Sequence, residues 1–190
     1  MKPALPAFAA LCLISACAAE PTPPSITSRD VDRAFVEAER IEALPVTAFA
    51  DIPTGSATYD GQIGADVRGD ANGSILADMT MIVGFDSNTI GGNVTNINLV
   101  DPDGIPNQRF SGALDIRGIE NDGALNAVAS GRIGGVDIDG YEVDADMALD
   151  LNGAVRNDRD FGDAVYGSAT GTAEGDFYLD VDGVFFGTAR

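Results

Sequence analysis

Tyr141–Leu151 reads YEVDADMALDL, and this stretch decides the fold. Its odd positions are Tyr141, Val143, Ala145, Met147, Leu149 and Leu151. Its even positions include Glu142, Asp144, Asp146 and Asp150. A period of two puts the apolar set on one face of a β-strand and the acids on the other. The same residues wound into a helix would mix the two sets on every side.

The surrounding chain has the same texture. From Gly55 onward glycine is frequent, and short alternating segments are divided by turn residues. That rhythm predicts an all-β sandwich or barrel. Eight strands are expected, at Thr58–Val67, Ser74–Gly84, Thr89–Val100, Gln108–Ile116, Gly123–Gly134, Tyr141–Leu151, Ala164–Glu174 and Asp176–Thr188. Turns are expected at Asp70–Gly73, Glu120–Gly123 and Asn152-Gly153, where Asn/Asp-Gly pairs favour chain reversal. Short links favour an antiparallel up-and-down order. Glycines inside strands (Gly61, Gly64, Gly112, Gly131, Gly167 and Gly171) suit bends at barrel corners.

Alternation alone allows an apolar face turned inward or turned toward lipid. The chain has no tryptophan and only 4 tyrosines, too few for interfacial girdles. A soluble single barrel is therefore expected. Eight staves leave room for side chains and little more. Met79, Met81, Leu114, Ile116, Met147, Leu149 and Phe185 should fill the interior.

Ahead of the barrel come three segments. Residues 1–16 read as an export signal, with Lys2 before a short apolar run, too short to span a bilayer. Ile14-Ser15-Ala16-Cys17 resembles the bacterial lipobox, which implies cleavage before Cys17 and acylation of its thiol and new N-terminus. Several acyl chains hold a protein to a membrane without spanning it. Ala18 in place of aspartate leans toward the outer membrane in that class. Residues 17–54 form the lipidated tether and a helix. The proline-rich part, AAEPTPPSIT (18–27), reads as an extended spacer. Residues 28–44 read as a short amphipathic helix, with Ser28 as cap, an Arg33–Glu37 pair, and Val31, Phe35, Ala38, Ile41 and Leu44 on its apolar face. Its expected seat is the barrel, over one end. The barrel itself is residues 55–190.

Composition restricts the chemistry. There are 30 acidic and 11 basic residues, for a net charge of −19, which opposes nucleic acid as a partner. With no histidine, no imidazole-based nucleophile or metal site can form. The only lysine, Lys2, and one of the 2 cysteines, Cys12, fall in the signal. Cys17 would be the sole cysteine of the mature chain, so no internal disulfide is expected. The chain is read as non-enzymatic and without a cofactor.

Three D-x-D-G stretches raise calcium: VDPDG (100–104), VDIDG (136–140) and LDVDG (179–183). An EF-hand loop needs a carboxylate at its first position and an acid at its twelfth. Counting back from each glycine, no first position is acidic, and only Asp146 is acidic among the twelfth positions. The EF-hand reading fails. VDIDG suits a hairpin turn, VDPDG a longer loop closed by Pro106, and LDVDG the last strand. A looser calcium site shared by Asp137, Asp139 and Asp144 stays as a secondary reading.

VYGSATGTAEGDFYLDVDGVFFGTAR (165–190) resembles the end of the barrel domain in transferrin-binding protein B-like surface lipoproteins. Tyr166, Gly167, Ala173, Glu174, Gly175, Phe177, Gly183, Val184, Phe186 and Gly187 carry the likeness. ATYDGQIG (57–64) is similar to that domain's opening strand. The resemblance implies an outer-membrane barrel lipoprotein that binds a protein or small ligand. This chain has one barrel and no handle domain, so only fold and location are carried over. The alternative is a structural envelope lipoprotein with no dedicated ligand.

Overall fold

The computed structural model describes residues 19–158 and 162–190. Ten hydrogen-bonded segments form one antiparallel sheet: β1 (Ser56–Gly69), β2 (Gly73–Gly84), β3 (Thr89–Val100), β4 (Pro106–Arg109), β5 (Ser111–Gly112), β6 (Leu114–Asn121), β7 (Ala124–Val136), β8 (Glu142–Arg156), β9 (Ala164–Gly175) and β10 (Tyr178–Ala189). The first strand, β1, pairs with both β2 and β10, so Ile63 lies opposite Ala77 on one side and Phe185 on the other. The sheet closes on itself. β4, β5 and β6 together make one interrupted stave, which gives an up-and-down barrel of eight.

The alternation in β8 sets which way it faces. Ala145, Met147, Leu149 and Leu151 are buried, while Glu142, Asp144, Asp146 and Asp150 are exposed. The apolar face points inward. All seven expected interior residues are at most 2% exposed. Burying a large aliphatic or aromatic side chain contributes about 1.5–3 kcal/mol, so this interior is the main stabilising element.

Two strand expectations need correction. Asn152-Gly153 is not a turn. It lies within β8, opposite Ser168 and Gly167 of β9. The expected fourth strand, Gln108–Ile116, is broken at Phe110 and Ala113 and runs on to Asn121. The break turns the Phe110 ring into the barrel mouth, where it stacks on Phe177 with centroids 5.9 Å apart. The Asp122-Gly123 hairpin behaves as expected, with both residues at positive φ (50° and 85°), the twist a tight reversal needs.

The strand directions define two ends. The upper end carries the turns after β1, β3, β7 and β9. The lower end carries the turns after β2, β6 and β8 and both chain ends of the sheet. Phe110 and Phe177 pack at the upper mouth, and Ile52 packs against the same core from below, beside Gly123.

Helix α1 spans Ser28–Glu42. Its cap is Thr27 and not Ser28: the Asp30 carboxylate accepts from the Thr27 backbone N–H (2.9 Å) and hydroxyl (2.7 Å). The Ser28 hydroxyl donates to the Gly104 carbonyl instead. Arg33 pairs with Asp30, and Glu37 with Arg40, so the expected Arg33–Glu37 pair does not form. The helix does not sit over a barrel end. It runs down the outer wall, where Ala34 and Ile41 pack with the outward residues Leu76, Ala164 and Phe186. Small Ala34 allows the close approach, and the expected face residue Phe35 is displaced to solvent.

Candidate functional site

Four features of the outside of the barrel stand out, and the first is the pair of acidic upper loops. VDPDG and VDIDG, expected to differ, fold as the same turn. In each, the first aspartate's Oδ1 accepts from two backbone N–H groups, two and four residues on. Asp101 takes Asp103 (3.0 Å) and Ile105 (2.9 Å), and Asp137 takes Asp139 (3.0 Å) and Tyr141 (2.8 Å). Gly104 and Gly140 close the turns at φ 78° and 83°, a conformation that favours glycine. The third copy, LDVDG, runs through β10. The signal for the first two was the Asp-x-Asp-Gly spacing itself, which suits an aspartate that caps its own turn.

The calcium candidates Asp137, Asp139 and Asp144 are not gathered into one site. One oxygen of Asp137 is held by the turn. Asp144 sits in β8, 3.2 Å from the Arg132 guanidinium. Among the described residues no group of three or more acidic or thiol side chains is arranged to hold a metal. The lipidation candidate Cys17 lies outside the described residues.

The second feature is a strap. The proline-rich stretch is hydrogen-bonded across the barrel wall from Ala19 on. The Ala19 N–H donates to the Gly140 carbonyl (2.9 Å), and the Arg109 N–H donates to the Thr22 carbonyl (2.9 Å). The Ser25 N–H donates to Asn98 Oδ1 at 3.0 Å. Asn98 is fully buried, an unusual place for an amide. A bulge in β3 accompanies it: Asn96 adopts φ 53°, and the register against β2 shifts there. Sequence reading missed this because a bulge leaves only a faint break in alternation, between Asn96 and Ile97.

A groove of about 300 Å³ between α1 and the outer wall is the third feature. Val31, Phe35, Ala38, Leu76 and Phe186 line its apolar part, and Asp66 and Asp182 lie at its rim. One end of α1 is fastened by charge. Arg40 donates to Glu37 at 2.8 and 3.0 Å and to Asp158 at 2.6 Å, and the Asp158 carboxylate is only 5% exposed. These carboxylates hold the Arg40 proton even more firmly than usual.

The fourth is the lower end, where burial perturbs two acids. The Tyr59 hydroxyl is buried with no hydrogen-bond partner among the described residues, and its pKa is raised first by burial and then by the nearby Asp163 and Glu120 charges. Glu120 is itself buried and accepts from the Gly123 N–H at 2.6 Å. Burial alone raises the Asp163 carboxyl above its ordinary 3.8. A carboxyl with a raised folded-state pKa favours folding below its unfolded value and loses that contribution as pH rises through the folded one. Asp163→Asn should therefore raise Tm at pH 7 and leave it unchanged near pH 3, read by calorimetry at both. An equal shift at both pH values would show that charge is not the cause.

Among the described residues no imidazole, thiol or lysine stands in any of these places, and the two carboxylates at the groove rim, Asp66 and Asp182, are cross-strand partners. Compared with protein-family models, with curated proteins and with solved structures, the chain finds no match in any of the three.

Proposed function

We propose that this chain is a lipid-anchored, non-enzymatic barrel lipoprotein of a Gram-negative outer membrane, one that binds a protein or small ligand on its outer wall. The lipobox Ile14–Cys17 supports the anchor. The filled interior carries the rest of the reading: with Tyr59, Met81, Leu114, Leu151 and Phe185 all at 0% exposure, the barrel is no ligand cup. Binding then falls to the wall, where the groove beside α1 presents apolar lining and the exposed Phe35. The resemblance of residues 165–190 to transferrin-binding protein B-like barrels points the same way.

The test has two arms. Growth with a fatty-acid analogue should label the wild-type chain and leave Cys17→Ala unlabelled and released from the membrane fraction. A Cys17→Ala chain that stays membrane-bound would overturn the anchor. Capture by the purified protein from envelope extract and culture medium should return a partner that Phe35→Asp loses. The filled interior equally suits a structural spacer, and repeated capture with no partner would favour that role.

A further inference from the structure

We propose that the upper end of the barrel is a lipid-facing surface, with the Ile138–Tyr141 tip of the β7–β8 hairpin seated in the interfacial layer of a zwitterionic bilayer. The inference rests on the lipid-anchor reading and adds the orientation. Its first support is the reach of the chain. The Ala19 N–H is hydrogen-bonded to the Gly140 carbonyl at 2.9 Å. Cys17 precedes Ala19 by two residues, and two extended residues span about 7 Å. Whatever path those residues take, the Cys17 Cα stays within about 7 Å of the Ala19 Cα, so an acylated Cys17 keeps its glyceryl group near the hairpin. The headgroup zone on one side of a bilayer is itself about 5–7 Å thick. A barrel so tethered cannot stand away from the membrane while the strap holds.

The second support is what that end exposes. Ile138 is 101% exposed at the hairpin tip, and Tyr141 beside it is 68% exposed. Ile105, at the place in VDPDGI that Tyr141 holds in VDIDGY, is 57% exposed. An aliphatic tip flanked by a tyrosine suits the interfacial layer, where the ring lies in apolar surroundings and the hydroxyl stays wet. The backbone behind the tip is tied into its turn, because the Asp137 carboxylate accepts from the Asp139 and Tyr141 N–H groups. Charge selects the kind of lipid. Asp101, Asp103, Asp137 and Asp139 ring the same end, and their repulsion opposes an anionic surface. Zwitterionic headgroups carry no such penalty.

The chain has no tryptophan, so a single introduced one reports alone. The full-length chain, produced in a Gram-negative host and purified in detergent, is placed in phosphatidylcholine vesicles that carry bromine on the acyl chains. Ile138→Trp and Tyr141→Trp should be blue-shifted and quenched several-fold more than Phe49→Trp, which marks the exposed lower end. Both upper positions are exposed, so the fold should tolerate them. Equal quenching at the two ends, or stronger quenching at Phe49→Trp, would overturn the orientation. Intact mass separates the two failures. An acylated chain with an unquenched Ile138→Trp defeats the orientation alone, whereas a chain without acyl groups defeats the anchor and the orientation with it.

Discussion

Phe185→Ala is expected to lower the unfolding free energy by about 3–5 kcal/mol, the usual cost of truncating a buried phenylalanine. Folded domains hold only about 5–15 kcal/mol in total, so this is a large share. Phe185 is fully buried in β10 and lies across two glycines of the neighbouring strands. A Cβ on Gly167 would sit 2.6 Å from the Phe185 ring and 2.3 Å from the Asn152 carbonyl. One on Gly153 would sit 2.7 Å from the ring and 2.4 Å from the Tyr166 carbonyl. The glycine pair makes the bed for the ring, and nothing nearby can move in to fill a cavity there. The reverse change, Gly167→Val, forces a methyl-bearing carbon onto ring and backbone together and should be as harmful. Urea unfolding is the measurement: the midpoint should fall sharply at unchanged slope. A loss below about 1 kcal/mol for Phe185→Ala would show that the site collapses freely, contrary to this packing.

Ile41→Ala should cost about 2–5 kcal/mol as well, but in a different place. Ile41 is the one large, fully buried side chain of α1, seated in the cluster with Leu76, Ala164 and Phe186. A helix of 15 residues is marginal without such a seat. Losing the anchor should let α1 open while the barrel persists. Hydrogen exchange followed residue by residue would show faster exchange in Ser28–Glu42 and little change in β6–β8. The Arg40–Asp158 pair, next to Ile41, limits how far the helix swings. Uniform loss of protection across helix and barrel would mean that the two open as one unit, and would contradict this account.

The fold was legible where one physical cause acts alone. In Tyr141–Leu151 a single sheet face meets the core and the other meets water, so hydropathy records the strand directly. Glu120–Gly123 was legible because a two-residue reversal needs left-handed backbone, which Asp-Gly supplies. Legibility failed where a distant partner decides. Asn152-Gly153 carries the same local preference for a turn, yet the Phe185 ring requires a bare backbone there, and tertiary packing overrides the preference. Phe35 belongs to the apolar stripe by spacing, but the wall admits only the smaller Ala34 at the point of closest approach. The turn role of VDIDG was readable from its aspartates. The shared geometry of VDPDG was hidden by its proline, and the docking of residues 19–27 depends on the buried Asn98, which no local pattern announces.

The position of α1 bears on the order of assembly. The barrel closes where its first strand meets its last, with Tyr59 opposite Ala189. That is the contact of greatest sequence separation in the sheet, and such contacts form slowly because the loop they close is long. The seat of α1 is built partly from Ala164, Tyr166, Val184 and Phe186, all in the final two strands. A helix near the start of the chain therefore has no complete place to dock until the end of the chain has arrived. During synthesis the helix emerges first and waits. It then clasps the two edges of the seam from outside, a late fastening that should slow unzipping of the finished barrel more than it hastens its making.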